Sequence, residues 1–146
     1  MIIRKMKKED YSGLYALWTS CPGMGLNDID DSKEGICRFL ERNPKTCFVC
    51  EEDGIITGAI MAGNDGRRGY IYHTAVAPKL QKQGIGTKLV QAALKALKEI
   101  GITKAALVAF SRNEEGNVFW EKQGFSERTD LVYRNKELVK LRRLDT

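Results

Sequence analysis

The chain has 146 residues, 42% hydrophobic and 29% charged, which suits one folded domain and argues against a disordered chain. No apolar run approaches the ~20 residues of a membrane span, and MIIRKMKKEDY has no apolar core behind its charges, so neither membrane attachment nor a secretory leader is expected. The net charge of +5 sits at the ends (Arg4, Lys5, Lys7, Lys8; Arg134, Lys136, Lys140, Arg142, Arg143), and the rest holds 15 bases against 18 acids, so no nucleic-acid partner is expected.

Ile2 and Ile3 begin a short strand, and Lys8-Glu9-Asp10 leads into a helix with Tyr11, Leu14, Tyr15, Leu17 and Trp18 at helical spacing. Cys21-Pro22-Gly23 stops it. After a loop to Asp30, Asp31-Ser32 can cap a second helix, whose stripe is Ile36, Cys37, Phe39 and Leu40 and which ends at Asn43-Pro44. Strands 46–51 and 55–62 flank Glu52-Asp53-Gly54, a hairpin signal. A turn through Arg67 and Arg68 leads to a strand over 70–77, closed by Pro78. The clearest helix runs from Gly84 to Ile100, with Ile85, Leu89, Ala93, Leu97 and Ile100 on one face and Gly101 as its stop. A strand at 105–110, a helix at 114–123 and two strands at 128–134 and 137–143 complete the chain. The order β-α-α-β-β-β-α-β-α-β-β describes an α/β (α+β) fold, a mixed sheet with helices on both faces.

Cys47-Phe-Val-Cys50 has the spacing of a metal or redox pair. It falls on a strand, however, where side chains three apart point to opposite faces. Cys21, Cys37, Cys47 and Cys50 are therefore expected to be reduced thiols of a cytoplasmic protein, with no metal.

The informative stretch joins a strand ending in Thr74-Ala75-Val76-Ala77-Pro78 to a helix through Gln81-Lys82-Gln83-Gly84-Ile85-Gly86-Thr87-Lys88. A helix N-terminus offers unpaired N–H donors and a partial positive charge. Glycines there admit a ligand close to the backbone, Thr87 adds a hydroxyl, and Lys82 and Lys88 add charge. Together they form an anion cradle suited to a pyrophosphate. The Walker pattern is absent, and Leu89 stands where a dinucleotide fingerprint has its third glycine. An ordinary glycine-containing helix start is the bland alternative.

Gln81-x-x-Gly84-x-Gly86 after this strand resembles the acetyl-CoA motif of the GNAT superfamily of N-acetyltransferases. Asn113, Gly116, Phe119-Trp120 and Glu121-Lys122-Gln123-Gly124-Phe125 resemble the superfamily's second signature, and the element order fits over essentially all of 1–146. The resemblance implies a splayed central strand pair and transfer of acetyl from acetyl-CoA to a primary amine, by direct attack through a tetrahedral intermediate. It places the pyrophosphate on Gln81, Lys82, Gln83, Gly84, Ile85, Gly86 and Thr87, and pantetheine along Thr74, Ala75 and Val76. Asn113 and Asn117 fall near the pantetheine arm. Trp120 stands where many members carry a tyrosine acid. No metal is implied, and a homodimer is compatible. A catalytically weak CoA-binding sensor is the alternative.

The attacking nitrogen must be neutral, and a lysine-like amine with pKa ~10.4 is not. A base must take its proton. At the positions where some members carry Glu or His, this chain has Tyr70 and Tyr72, the candidates for proton handling. By strand parity they share a face with Thr74 and Val76, while His73, the one histidine, faces away with Ile71 and Ala75. Acceptor selectivity is expected from Trp18, Met24, Asn27, Asp28, Asp30 and Asp31, whose acids suit a cationic amine, with Arg67 and Arg68 nearby.

Overall fold

A computed structural model describes residues 1–145. In chain order it contains β1 (Ile2–Lys5), α1 (Tyr11–Ser20), α2 (Lys33–Arg42), β2 (Phe48–Glu52), β3 (Ile55–Asn64), β4 (Gly69–Val76), α3 (Ile85–Glu99), β5 (Ala105–Ala106) and α4 (Glu114–Lys122). The sheet order is β1-β2-β3-β4-β5, antiparallel except for the parallel β4–β5 pair.

Each face of the sheet is buried by a different helix set. Leu14, Leu17 and Trp18 of α1 and Ile36 and Leu40 of α2 pack with Val49, Ala59, Met61 and Ala75. On the other face Ile85, Leu89, Val90, Ala93 and Leu97 of α3 pack with Cys50, Ile60, Ala62 and Ile71. Cys47 belongs to the first cluster and Cys50 to the second, as strand parity requires.

Helix ends follow their local chemistry. Ser32 caps α2, its hydroxyl accepting from the Gly35 amide at 3.0 Å. At the end of α3, Gly101 takes φ 92°; its amide donates to Lys98 and the Ile102 amide to Leu97, both at 3.0 Å. This is a Schellman stop, which needs the left-handed residue glycine supplies.

The C-terminal third departs from expectation. The strand expected at 105–110 shortens to Ala105–Ala106, and 128–134 and 137–143 form no strands. With β5 so short, no sheet edge is offered to them; Val132 is 75% and Leu138 92% exposed. The tail is instead tied to the loop between α1 and α2. Arg143 bridges to Asn27, the Leu144 amide donates to Leu26 at 2.9 Å, and the Asp145 carboxylate accepts from the Met24 and Leu26 amides at 3.0 and 2.6 Å. Among the described residues, no helix is long and apolar enough to cross a membrane.

Candidate active site

Strand β4 organises the site because its two edges are treated differently. One edge pairs with β3 from Gly69 to Val76. The other pairs with β5 only at Gly69–Ala105 and Tyr70–Ala106. Beyond Tyr70 the two strands part, so among the described residues the β4 edge over 71–76 has no strand partner. Thr74, Ala75 and Val76 lie on this open edge, a template for an added extended chain. The splayed central pair expected from the sequence is present.

The turn after β4 leads onto the start of α3. The Gln81 side chain donates to the Val76 carbonyl at 3.1 Å, folding the turn back against the strand end. Lys82 at φ 64° and Gly84 at φ 87° are both left-handed, and Gly84 is the N-cap of α3. A Cβ on Gly84 would meet nothing within 4 Å, so its backbone faces open space. Amides at the start of a fifteen-residue helix with this clearance fit an anion. Gly86 has a different task. A Cβ there would lie 3.1 Å from the Phe119 ring, so this glycine admits α4 rather than a ligand. Thr87 accepts from the Gln123 side chain at 3.0 Å, tying α4 to α3.

The second signature is largely structural. The Asn113 side chain caps α4 by accepting from the Gly116 amide at 3.0 Å. The Asn117 side-chain Nδ2 donates to the Phe110 and Asn113 carbonyls at 3.0 and 2.8 Å. These bonds hold the segment that leaves β5 and so keep the splay open. Trp120 sits edge-on between Phe119 (5.1 Å) and Phe125 (5.3 Å), anchoring α4 beside α3.

Strand parity fails on β4. Ala59 pairs with Ala75 and Met61 with Tyr72, so His73 and Thr74 together oppose Ile60 in a bulge, and His73 takes φ 40°. A left-handed non-glycine costs about 1–3 kcal/mol and survives only where its surroundings fix it. The extra residue reverses the alternation: Ile71 packs on the α3 side, Ala75 on the α1–α2 side and Val76 again towards α3. Tyr70 and Tyr72 therefore do not share a face with Val76. His73 does not face away from them; it turns towards α1.

There the His73 Nε2 lies 2.6 Å from Asp31 Oδ1, and its ring stands edge-on to Trp18 at 5.1 Å. Asp31, expected to help cap α2, leaves that role to Ser32 and serves His73 instead. Tyr70 and Tyr72 pack at 4.7 Å, with Phe39 of α2 against Tyr72 at 5.7 Å. Burial, then neighbouring Tyr133 and Tyr72, pushes the Tyr70 phenol up to about 12; burial and Tyr133 raise Tyr72 as well. Both phenols thus stay neutral donors near neutral pH. Tyr133 comes from the expected strand that did not form, and no sequence spacing linked it to β4. Among the described residues, buried Trp18 Nε1 and Thr74 Oγ1 have no partner, polar capacity beside His73 that these residues do not consume. Asp30 stands near Tyr72, whereas Arg67 and Arg68 are in the preceding turn, their amides bonded to Asp65. Two open grooves of about 460 and 450 Å³ lie at the two ends of β4: one, around Arg4, Gly13 and Ile55, reaches Ala77 just after the strand, and the other, around Leu97 and Ile102, reaches Ala105 of β5.

Comparison with known proteins agrees with this geometry. The sequence profile of the acetyltransferase (GNAT) family matches residues 11–125. An acetyltransferase of Pectobacterium atrosepticum is 30% identical over 139 residues, 95% of this chain and 96% of that protein. The PaiA N-acetyltransferase of Thermoplasma acidophilum, solved with coenzyme A, superposes with a TM-score of 0.75 at 21% identity, covering 86% of this chain and 89% of the other. Ard1 of Thermoplasma volcanium gives 0.76 at 21% identity, covering 86% and 82%. With the open β4 edge, the Gly84 cradle and both signatures in place, the chain belongs to the GNAT acetyltransferase family and so to the acetyl-CoA-dependent acyltransferases.

Proposed function

We propose that the chain, as a single acetyltransferase domain over 1–146, transfers acetyl from acetyl-CoA to a primary amine of a small molecule or peptide by direct attack through a tetrahedral intermediate. The observation that carries this reading is the unpaired β4 edge over 71–76 ending beside the Gly84 cradle. The backbone amides of 81–87 hold the pyrophosphate, and Thr74, Ala75 and Val76 pair with the extended pantetheine arm. Bound there, acetyl-CoA supplies an activated acyl group. An amide of the open edge near Val76 donates to the developing oxyanion, a contact of the kind worth about 10²–10³ in rate. Asn113 and Asn117 keep the walls of the channel apart, and Trp120 closes its α4 side without the acid that a tyrosine would bring.

The acceptor enters from the α1–α2 side. Tyr70 and Tyr72, neutral and partly exposed, line that approach as hydrogen-bond donors, and the acids of the α1–α2 loop draw in a cationic amine. The test is thiol release from acetyl-CoA with an N-terminal alanyl peptide, putrescine and glucosamine 6-phosphate as acceptors. Amine-dependent release is expected. Acetyl-CoA binding with no release for any amine would favour the weakly catalytic CoA-binding module.

A further inference from the structure

We infer that His73 is the base for the acceptor amine, held through Nε2 by Asp31 and receiving the proton at Nδ1. The inference rests on the transferase reading and supplies the proton acceptor that the neutral phenols of Tyr70 and Tyr72 do not.

The ring is fixed from several directions. Asp31 Oδ1 is 2.6 Å from Nε2, and the His73 and Asp31 side chains are only 15% and 4% exposed. Asp31 is fixed in turn: its Oδ2 accepts from the Asn27 amide at 2.8 Å, and its carbonyl accepts from the Tyr11 hydroxyl at 2.7 Å. Trp18 holds the ring from the α1 side. A carboxylate only accepts, so a neutral imidazole bonded to it carries its hydrogen on Nε2 and its lone pair on Nδ1. Among the described residues no hydrogen bond occupies Nδ1. Asp31 from the α1–α2 loop is the charged group bonded to the ring; Tyr11 of α1 reaches the Asp31 carbonyl through its hydroxyl, and Tyr72, with Asp30 near it, precedes His73 on β4. The bulge sets His73 directly before Thr74 on the open edge and turns it towards α1, the side from which the proposed acceptor enters.

The protons balance. Nδ1 takes one proton from the acceptor ammonium, and the resulting imidazolium, still bonded to Asp31 through Nε2, returns that proton to solvent. The neutral nitrogen attacks the thioester carbon; the C–N bond forms and the C–S bond breaks. The second proton lost by nitrogen reaches the leaving thiolate.

The test exploits the single histidine, which gives one set of ring signals in 15N-labelled protein. NMR should show the wild-type ring protonated on Nε2 and bare on Nδ1 when neutral. In Asp31→Asn, the Asn27 amide claims the side-chain oxygen, the new NH2 donates to Nε2, and the hydrogen moves to Nδ1. Asp31→Asn and His73→Gln should each lower kcat/KM for thiol release about 100-fold or more, with the acetyl-CoA Kd unchanged. A wild-type ring protonated on Nδ1 overturns the inference without any turnover assay. Wild-type kcat/KM in His73→Gln overturns it too, leaving the transferase reading standing. Failure of the wild-type protein to bind acetyl-CoA would remove both.

Discussion

The two sides of β4 are built from different materials. Towards β5 and α3 the site is backbone: an unpaired strand edge and the amides of a left-handed turn. Towards α1 and α2 it is side chains: His73 on Asp31, Tyr70 against Tyr72, Phe39 and Trp18 behind them. A backbone site needs only glycines at the right spacing and tolerates varied neighbours. A side-chain site depends on where a bulge turns each residue, and one extra residue changes its content. The contrast suits the proposed reaction, with the donor held by backbone and the amine met by side chains.

Substitutions on each side should separate the two. The largest effect is expected from Trp18→Ala, which empties a fully buried site behind His73. About 3–5 kcal/mol of stability should be lost, read as a fall in Tm. Gly35→Ala comes next: a Cβ there would come too close to the backbone carbonyls of Ile29 and Asp30, which cannot move without shifting Asp31. About 1–3 kcal/mol should be lost, and amine turnover should fall while acetyl-CoA affinity is kept. Gly84→Val does the reverse. A branched residue is strained at φ 87° and obstructs the cradle, so acetyl-CoA binding should weaken at least about tenfold, near 1.4 kcal/mol. The His73 ring signals should be unchanged in Gly84→Val. Tyr72→Phe keeps the ring and removes one neutral donor, so only KM for the amine should rise, by a few-fold, with kcat unchanged. A large fall in kcat would instead give Tyr72 a proton-transfer role.

The sequence made the backbone half legible because glycine spacing and helix periodicity are local. The glycine turn that starts α3, the helix stops at Asn43 and Gly101, and the buried stripe of α3 from Ile85 to Leu97 are readable there, although Ile100 at its end is exposed. The side-chain half was not. Period-two reasoning is sound up to Ile71, but nothing in Tyr72-His73-Thr74-Ala75 announces that two residues will oppose one, so the facing of His73 came out reversed. Asp31 and Ser32 looked like equivalent caps, and only the three-dimensional approach of β4 divided their roles. Tyr133 falls within the strand expected at 128–134, which requires a partner edge, and β5 ends too early to provide one. Asn113 and Asn117 matched by position, yet their own bonds to the loop they stabilise became visible only in the fold.

The most direct test of the central claim, that the open β4 edge and the Gly84 turn form a CoA site, is calorimetric titration of the full chain with acetyl-CoA, with CoA, ATP and NAD as comparisons. Binding of acetyl-CoA and CoA, with none for ATP or NAD, is the expected result. Folded protein that binds neither CoA species would contradict it and reduce Gln81 to Thr87 to a helix start.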